Sequence, residues 1–272
     1  GMTLQNANFK EGNIKTNAKN SSFDYLAMQF RLWKRMGMAV GFLPFSTVGY
    51  SLSNTSELTK DEDGTVINKT ASYAGDGGLQ QVFAGVGFKV LDNLSIGANI
   101  SYIYGDITHS VTTAFSNSSS FSSVRLDKIS INDYKLDFGL QYSYKFNKKH
   151  VLNFGAVYSL GHSVNGKGYK YNQKWLNGAD YPSTQTGDTI TNAFSLPHTF
   201  GAGLTYVYDN RLTIGADFTY QQWEDAKFYN EKSYFSNRTK IAAGAEFVPN
   251  PYSRNYLKRV RYRVGGYYSD PY

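Results

Sequence analysis

An all-β fold, an antiparallel up-and-down transmembrane β-barrel, is what this sequence predicts, and three observations predict it. Apolar and polar residues alternate over long runs: Tyr134, Leu136, Phe138, Leu140, Tyr142, Tyr144 and Phe146 are separated by Lys135, Asp137, Gly139, Gln141, Ser143 and Lys145. Successive strand side chains point to opposite faces, so each run has one apolar side and one small or polar side. The connections alternate as well. Turns of about two to four residues close one end of the meander and loops of about seven to thirty the other, as in outer-membrane barrels. Composition is the third observation: of 272 residues, 41% are hydrophobic and 16% aromatic, with a mean hydropathy of −0.44. No apolar run is long enough for a transmembrane helix, whereas strand alternation dilutes hydropathy without excluding a membrane barrel. A closed sheet of about ten strands or more is too wide for side chains to fill, so the apolar face looks toward lipid and the polar face toward water.

The elements follow in order. A short strand at about residues 2–9 leads into a polar loop, Lys10 to Ser21. Strands at about 22–34 and 37–54 meet at Lys34-Arg35-Met36-Gly37; a long loop follows, with Lys60 to Gly64 near its tip and Gly75-Asp76-Gly77-Gly78 at its end. Strands at about 79–90 and 94–108 share the Leu91-Asp92-Asn93 turn, and a Ser-rich loop covers Ser116 to Ser123. Strands at about 126–146 and 150–164 flank Asn147-Lys148-Lys149, and a second long loop spans Asn165 to Thr191. Strands at about 193–208 and 211–228 share Asp209-Asn210, and the last two, at about 236–248 and 259–270, are separated by Pro249-Asn250-Pro251. Asn, Asp and Gly tolerate the backbone angles that tight hairpins need. The result is about eleven strands in a single transmembrane barrel domain over residues 1–272. Aromatics thicken toward the stripe ends, at Tyr102, Tyr104, Tyr142, Tyr144, Tyr206 and Tyr208, where interfacial girdles belong.

Several chemistries are excluded or disfavoured. The chain has no cysteine, which removes disulfides and thiolate metal sites. Its formal charge of +7 is spread along strands and turns rather than gathered on the basic face that nucleic acid requires. His109, His150, His162 and His198 fall on separate segments without metal-type spacing. Ser195 near His198 is the one pairing that a barrel lipase would need, and an ordinary strand histidine is the better reading. Lys60-Asp61-Glu62-Asp63-Gly64 begins like a calcium loop but lacks the closing Glu, so a solvated turn fits better. No enzymatic activity and no cofactor are expected. On the polar face, Lys135, Asp137, Arg211, Asp217, Glu246, Arg261 and Arg263 are placed to pair across the lumen, and the three arginines can also meet a carboxylate headgroup.

Four C-terminal blocks point further: Leu196-Pro197-His198-Thr199 leading to Gly201-Ala202-Gly203-Leu204-Thr205-Tyr206, then Gly215-Ala216-Asp217-Phe218-Thr219-Tyr220-Gln221-Gln222-Trp223, Gly244-Ala245-Glu246-Phe247-Val248-Pro249, and Tyr262-Arg263-Val264-Gly265-Gly266-Tyr267. Their succession resembles the C-terminal half of the FadL/TodX family of outer-membrane transport proteins, in the manner of divergent Bacteroidetes-like members. The resemblance implies a fourteen-stranded barrel plugged by an N-terminal hatch, so this chain is expected to be a piece lacking the hatch and the last three strands. It also implies a third strand kinked inward beside a lateral opening, here flanked by Phe42, Leu43, Pro44 and Phe45. A plain β-bulge explains Pro44 equally, because proline cannot donate to a ladder. Substrate capture between two extracellular loops would fall to Phe115, Phe121, Tyr169, Tyr171, Trp175, Leu176 and Tyr181. The same aromatics can instead pack on one another to order the loops.

The function expected from this resemblance is passive uptake of hydrophobic small molecules, such as long-chain fatty acids or aromatic compounds. It would occur in the outer membrane of a Gram-negative bacterium, through a monomer whose partners are outer-membrane lipid and the hydrophobic substrate. A general porin with a polar lumen and a non-transporting barrel with ligand-binding surface loops are the alternatives. An open sheet leaves two unpaired edges, which lipid does not tolerate, so the isolated piece is expected to misfold or aggregate.

Overall fold

The computed structural model describes residues 1–61, 63–176, 184–191, 194–228, 231–233 and 235–271. β1 (Met2–Glu11) and β2 (Ile14–Phe23) form a hairpin apart from the main sheet. The wall starts at β3 (Leu26–Trp33) and continues through β4 (Met36–Lys60), β5 (Val66–Lys89), β6 (Leu94–Phe115), β7 (Phe121–Lys145) and β8 (His150–Ser159). Next come β9 (His162–Ser163), β10 (Gly166–Leu176), β11 (Thr184–Thr191) and β12 (Ser195–Leu196). The wall resumes beside β8 with β13 (Thr199–Tyr208), followed by β14 (Leu212–Gln221), β15 (Arg238–Phe247), the short helix α1 (Tyr256–Arg259) and β16 (Tyr262–Ser269). Ten antiparallel strands thus make the wall, in the order β3 to β8 and then β13 to β16, and among the described residues β3 and β16 each pair on one side only.

Register lines the sequence stripes up across the whole wall. One row runs Phe30, Met38, Val86, Ala98, Phe138, Tyr158, Phe200, with each residue opposite the next. A neighbouring row on the other face runs Gly85, Asn99, Asp137, Ser159, Thr199, Gln221, Arg238. One continuous apolar face and one continuous polar face result, because a period of two held in register never crosses over.

The all-β, up-and-down architecture is the one expected; the lengths of its elements are not. β4, β5 and β7 have 25, 24 and 25 residues. Each reaches about 80 Å at about 3.3 Å per residue, against a hydrocarbon core of about 30 Å. Most of the expected long loops are therefore strand that continues into water. The stretch after residue 54 stays paired to the hairpin tip, with Lys60 opposite Val66. Hydroxyl pairs on that hairpin, Ser53 with Ser72 at 3.1 Å and Thr55 with Thr70 at 3.0 Å, supply cross-strand contacts that need no apolar stripe. Likewise the expected loop Lys10 to Ser21 is mostly β2, and the expected loop Asn165 to Thr191 contains β10 and β11. β10 pairs with the upper half of β7 (Phe121 to Ile131), while β8 pairs with its lower half (Asp137 to Lys145).

Barrel wall and projecting sheet meet at a level marked by a register slip and by positive-φ glycines. The β4–β5 register slips between Pro44 and Ser46; Ser46 lies opposite Leu79, and Leu79 opposite Gly105. Gly78 and Gly105 have φ of 154° and 142°, and a Cβ on Gly105 would collide with the Gly78 carbonyl oxygen. Gly105→Ala should cost about 1–3 kcal/mol, the scale of a strained backbone position. Denaturant unfolding in detergent reads that loss, with the open Gly155→Ala as control.

Candidate functional site

The site begins where the wall parts. Phe42, opposite Leu26, is the last β4 residue paired to β3. Below that point the two strands are joined; above it, β4 pairs with β5 alone, and the chain preceding β3 turns away as β2 to pair with β1. Pro44 lies opposite Gln80 and Ser46 opposite Leu79, so Phe45 is the extra residue of a β-bulge at the parting. Phe42 points to the apolar face. Its ring is tilted against that of Phe23, with centroids 5.4 Å apart, and it lines a hollow of about 600 Å³ with Leu26, Met28, Val82, Ile100 and Tyr134. Leu43 lies opposite Gln81 on the other face.

Phe45 packs against a cluster that the sequence stripes do not reveal. Leu79, Ile103, Ile129 and Ile131, on the polar side of β5, β6 and β7, are buried together with Val164 and Leu196, and Ile107, Phe194 and Phe228 pack around them. These residues come from strand β4 at one end of the sequence order and from the β14–β15 connection at the other. They can meet only across the concave side of the curled sheet, so the polar face is the inner one and the apolar stripe the outer. Their sequence signal was a break of phase: Ile103 falls between Tyr102 and Tyr104, and Ile129 and Ile131 are out of step with Tyr134 and Leu136.

Below this cluster the interior is polar. Lys135 forms an ion pair with Asp137, whose carboxylate also accepts the Ser159 hydroxyl. Asp217 lines an inner hollow of about 530 Å³ with Gln141, Asn153 and Thr205. Glu246 accepts from Arg261 at 2.9 Å and Arg263 at 2.5 Å. Arg211 corrects the expectation of a pairing with Asp217 or Glu246. Asp209 and Asn210 adopt φ of 49° and 53° in the tight turn, and Arg211 folds back on Asp209 at 3.4 Å.

The two expected capture loops are brought together, as paired strands. Phe115 ends β6, Phe121 opens β7, Leu176 lies opposite Phe121 and Trp175 opposite Ser122. Tyr169, Tyr171 and Trp175 alternate along β10 and share one face, with Phe121 and Leu176 on the other. Tyr181 lies outside the described residues. Ser195 and His198 do not pair: the Ser195 hydroxyl faces that of Ser163 at 3.4 Å. The Gly161 N–H donates to His198 Nδ1 at 3.2 Å, and the Tyr158 hydroxyl lies 2.8 Å from the same nitrogen.

The BamG family matches residues 1–271, nearly the whole chain. The chain belongs to the BamG family. Solved structures that this BamG-family chain resembles include the Ralstonia pickettii toluene transporter TbuX, with 13% identity, a TM-score of 0.57, and 98% of this chain and 73% of that one covered. The Pseudomonas putida toluene transporter TodX matches at 14% identity and a TM-score of 0.56, over 99% and 72% of the two chains. The monoaromatic hydrocarbon channel CymD matches at 12% and 0.57, over 100% and 73%. No curated protein matches the chain. At such identities the likeness is one of fold. This BamG-family chain has the FadL/TodX barrel fold, and all three of these relatives are transport proteins rather than enzymes.

Proposed function

We propose that this chain forms the wall of an outer-membrane channel through which hydrophobic small molecules enter a Gram-negative cell passively, with its long hairpins facing outward. The observation that carries the reading is the parting of β3 from β4 above Phe42, beside an apolar hollow on the outer face. A solute arriving there passes into lipid without crossing the polar lower lumen, which is the favourable route for an apolar molecule. The toluene and monoaromatic channels of the same fold make aromatic hydrocarbons the substrates to test first, with long-chain fatty acids beside them.

A second reading, a barrel that binds ligands on its surface without transporting them, is supported by the projecting sheet and its Tyr169, Tyr171 and Trp175 face. Uptake of radiolabelled toluene and of a fluorescent fatty acid by outer-membrane vesicles separates the two. The channel reading expects faster uptake than in vesicles lacking the protein, and slowing by Ala84→Trp, which fills the outer hollow. Equal uptake with and without the protein, together with surface binding lost in Trp175→Ala, would move the function to the second reading.

A further inference from the structure

We infer that the short-turn end of the wall is a docking collar for the phosphate headgroups of anionic phospholipids, and that the connection between β15 and β16 lies in the membrane surface as its foot. The inference goes beyond the channel reading and needs only that the wall stand in a bilayer.

Three observations carry it. The first is charge. The chain's +7 is scattered along the sequence, but the fold gathers it at one end. Residues 31–37, 89–94, 145–150, 208–212 and 246–263 hold thirteen of the 28 Lys and Arg and three of the 21 Asp and Glu, a formal +10 that leaves −3 for the rest of the chain. These segments form one arc. Lys89 N–H donates to the Arg35 carbonyl and Ser143 N–H to that of Asn93, both at 2.8 Å; Asp209 donates to Lys149 and Val248 to Arg211, both at 2.7 Å. The three carboxylates are already held by neighbours: Asp92 by Lys89 at 3.3 Å, Asp209 by Arg211 at 3.4 Å, and Glu246 by Arg261 and Arg263. Lys148, Lys149, Arg254, Lys258 and Arg259 are exposed and form no ion pair among the described residues. Like charges along one arc repel, and an anionic surface relieves that repulsion.

The second is depth. Tyr208, Leu212, Phe247 and Tyr262 are the terminal residues of four neighbouring strands, each opposite the next on the outer face. Tyrosines in such a row settle at the boundary between hydrocarbon and water. The basic residues follow within a few positions of it, at about 3.3 Å per residue, which is the level of the headgroups.

The third is the foot. The other four connections at this end have two to four residues, whereas residues 248–261 make fourteen. On that connection Tyr252, Tyr256 and Leu257 are 87%, 73% and 66% exposed, interleaved with Arg254, Lys258 and Arg259. Exposed aromatic and aliphatic side chains beside lysine and arginine suit a segment lying in the lipid interface. A soluble acidic partner accounts for the charge alone; a lipid surface accounts for charge, depth and foot together.

The test is lipid retention by the full protein, folded in maltoside micelles and titrated with phosphatidylglycerol or with phosphatidylcholine of the same chains. Native mass spectrometry counts the bound lipids. The wild type should retain phosphatidylglycerol at least about fivefold over phosphatidylcholine at low salt, where attraction to basic residues is least screened. Arg254→Gln with Lys258→Gln and Arg259→Gln should lower that ratio about threefold or more, the direction expected when basic residues leave the surface. Lys10→Gln with Lys15→Gln and Lys19→Gln removes the same charge from the hairpin apart from the wall and should leave the ratio unchanged. A second measurement uses the absence of cysteine: Leu257→Cys takes a single fluorescent label. In vesicles of equal phosphatidylglycerol and phosphatidylcholine, spin-labelled lipid should quench that label and aqueous acrylamide should not. Should the triple variant fail to fold, the label decides. Equal retention of the two lipids by the wild type, a ratio unchanged in the folded triple variant, or a label open to acrylamide would overturn the collar; the last would leave the foot to a soluble acidic partner. The channel reading fails separately, through apolar uptake, which neither measurement reads.

Discussion

Ile103→Asp should be among the most damaging single changes in the wall, lowering stability by about 4 kcal/mol or more, the scale of an uncompensated buried charge. Ile103 is 1% exposed, on the inner face of β6, amid Leu79, Ile129, Ile131 and Leu196. A carboxylate placed there would pack on Leu79, Ile129, Ile131 and Leu196, and of its two directly opposed cross-strand neighbours, Gln81 and Asp133, the second carries charge of the same sign. Ile103→Val, which removes one methylene and keeps the chemistry, should cost only about 1 kcal/mol. Guanidinium unfolding of the detergent-folded protein separates the two through the shift in midpoint, and the ratio matters more than either value. If Asp and Val were equally mild, water would reach Ile103, and a dry inner cluster would be untenable.

The wall was legible in the sequence because its code is redundant. A stripe such as Tyr134 to Phe146 fixes strand, face and register together, and a slip of one residue would turn every large side chain on β7 to the wrong side. Tight turns were legible for the same reason: Asp209-Asn210 is a pair whose side chains tolerate the positive φ that both residues adopt. Polar strands were not legible. Residues 55–60, 66–78 and 121–125 have no face to bury in lipid and so carry no alternation, and their pairing comes from hydroxyl ladders and from the neighbouring strand. Gly75-Asp76-Gly77-Gly78 has the composition of a loop, yet all four residues are paired within β5, where Gly77 and Gly78 adopt positive φ.

The candidate site was legible only at its rim. Pro44 stands out in any reading of β4, because a proline inside a strand demands a bulge or an edge, and it sits at the place where β3 and β4 part. The inner cluster depends on contacts between residues as distant as Phe45 and Phe228, which no local pattern encodes. Its wall half left a trace, isoleucines out of phase with their stripes. Its inner half, Val164, Phe194 and Leu196, left none. The lumen charges show the same division. Glu246 with Arg261 and Arg263 follows from strand parity, whereas Arg211 answers to turn geometry that places it beside Asp209.

Orientation of the wall is open to an equally direct experiment, in which Phe138→Arg should destabilise the protein in lipid by about 2–4 kcal/mol, the cost of arginine on the lipid face near the bilayer midplane. Phe138 lies on the part of β7 that β8 covers, seven residues from the Lys145 end, opposite Ala98 and Tyr158 in the outer row, and is 47% exposed. Gln141 is three residues away on the same strand but faces the inner hollow, beside Asn153 and Thr205. Gln141→Arg places the same charge at nearly the same depth on the opposite face, where water solvates it, and should change stability by less than about 1 kcal/mol. Folding equilibria in liposomes measure both, and each variant controls for the other's change in charge and size. A large loss at Gln141 with tolerance at Phe138 would put the apolar stripe inside, and the parting of β3 from β4 would then open onto water rather than lipid. With the loss at Phe138, the gap beside Phe42 opens onto the hydrocarbon, where an apolar solute gains by leaving the lumen.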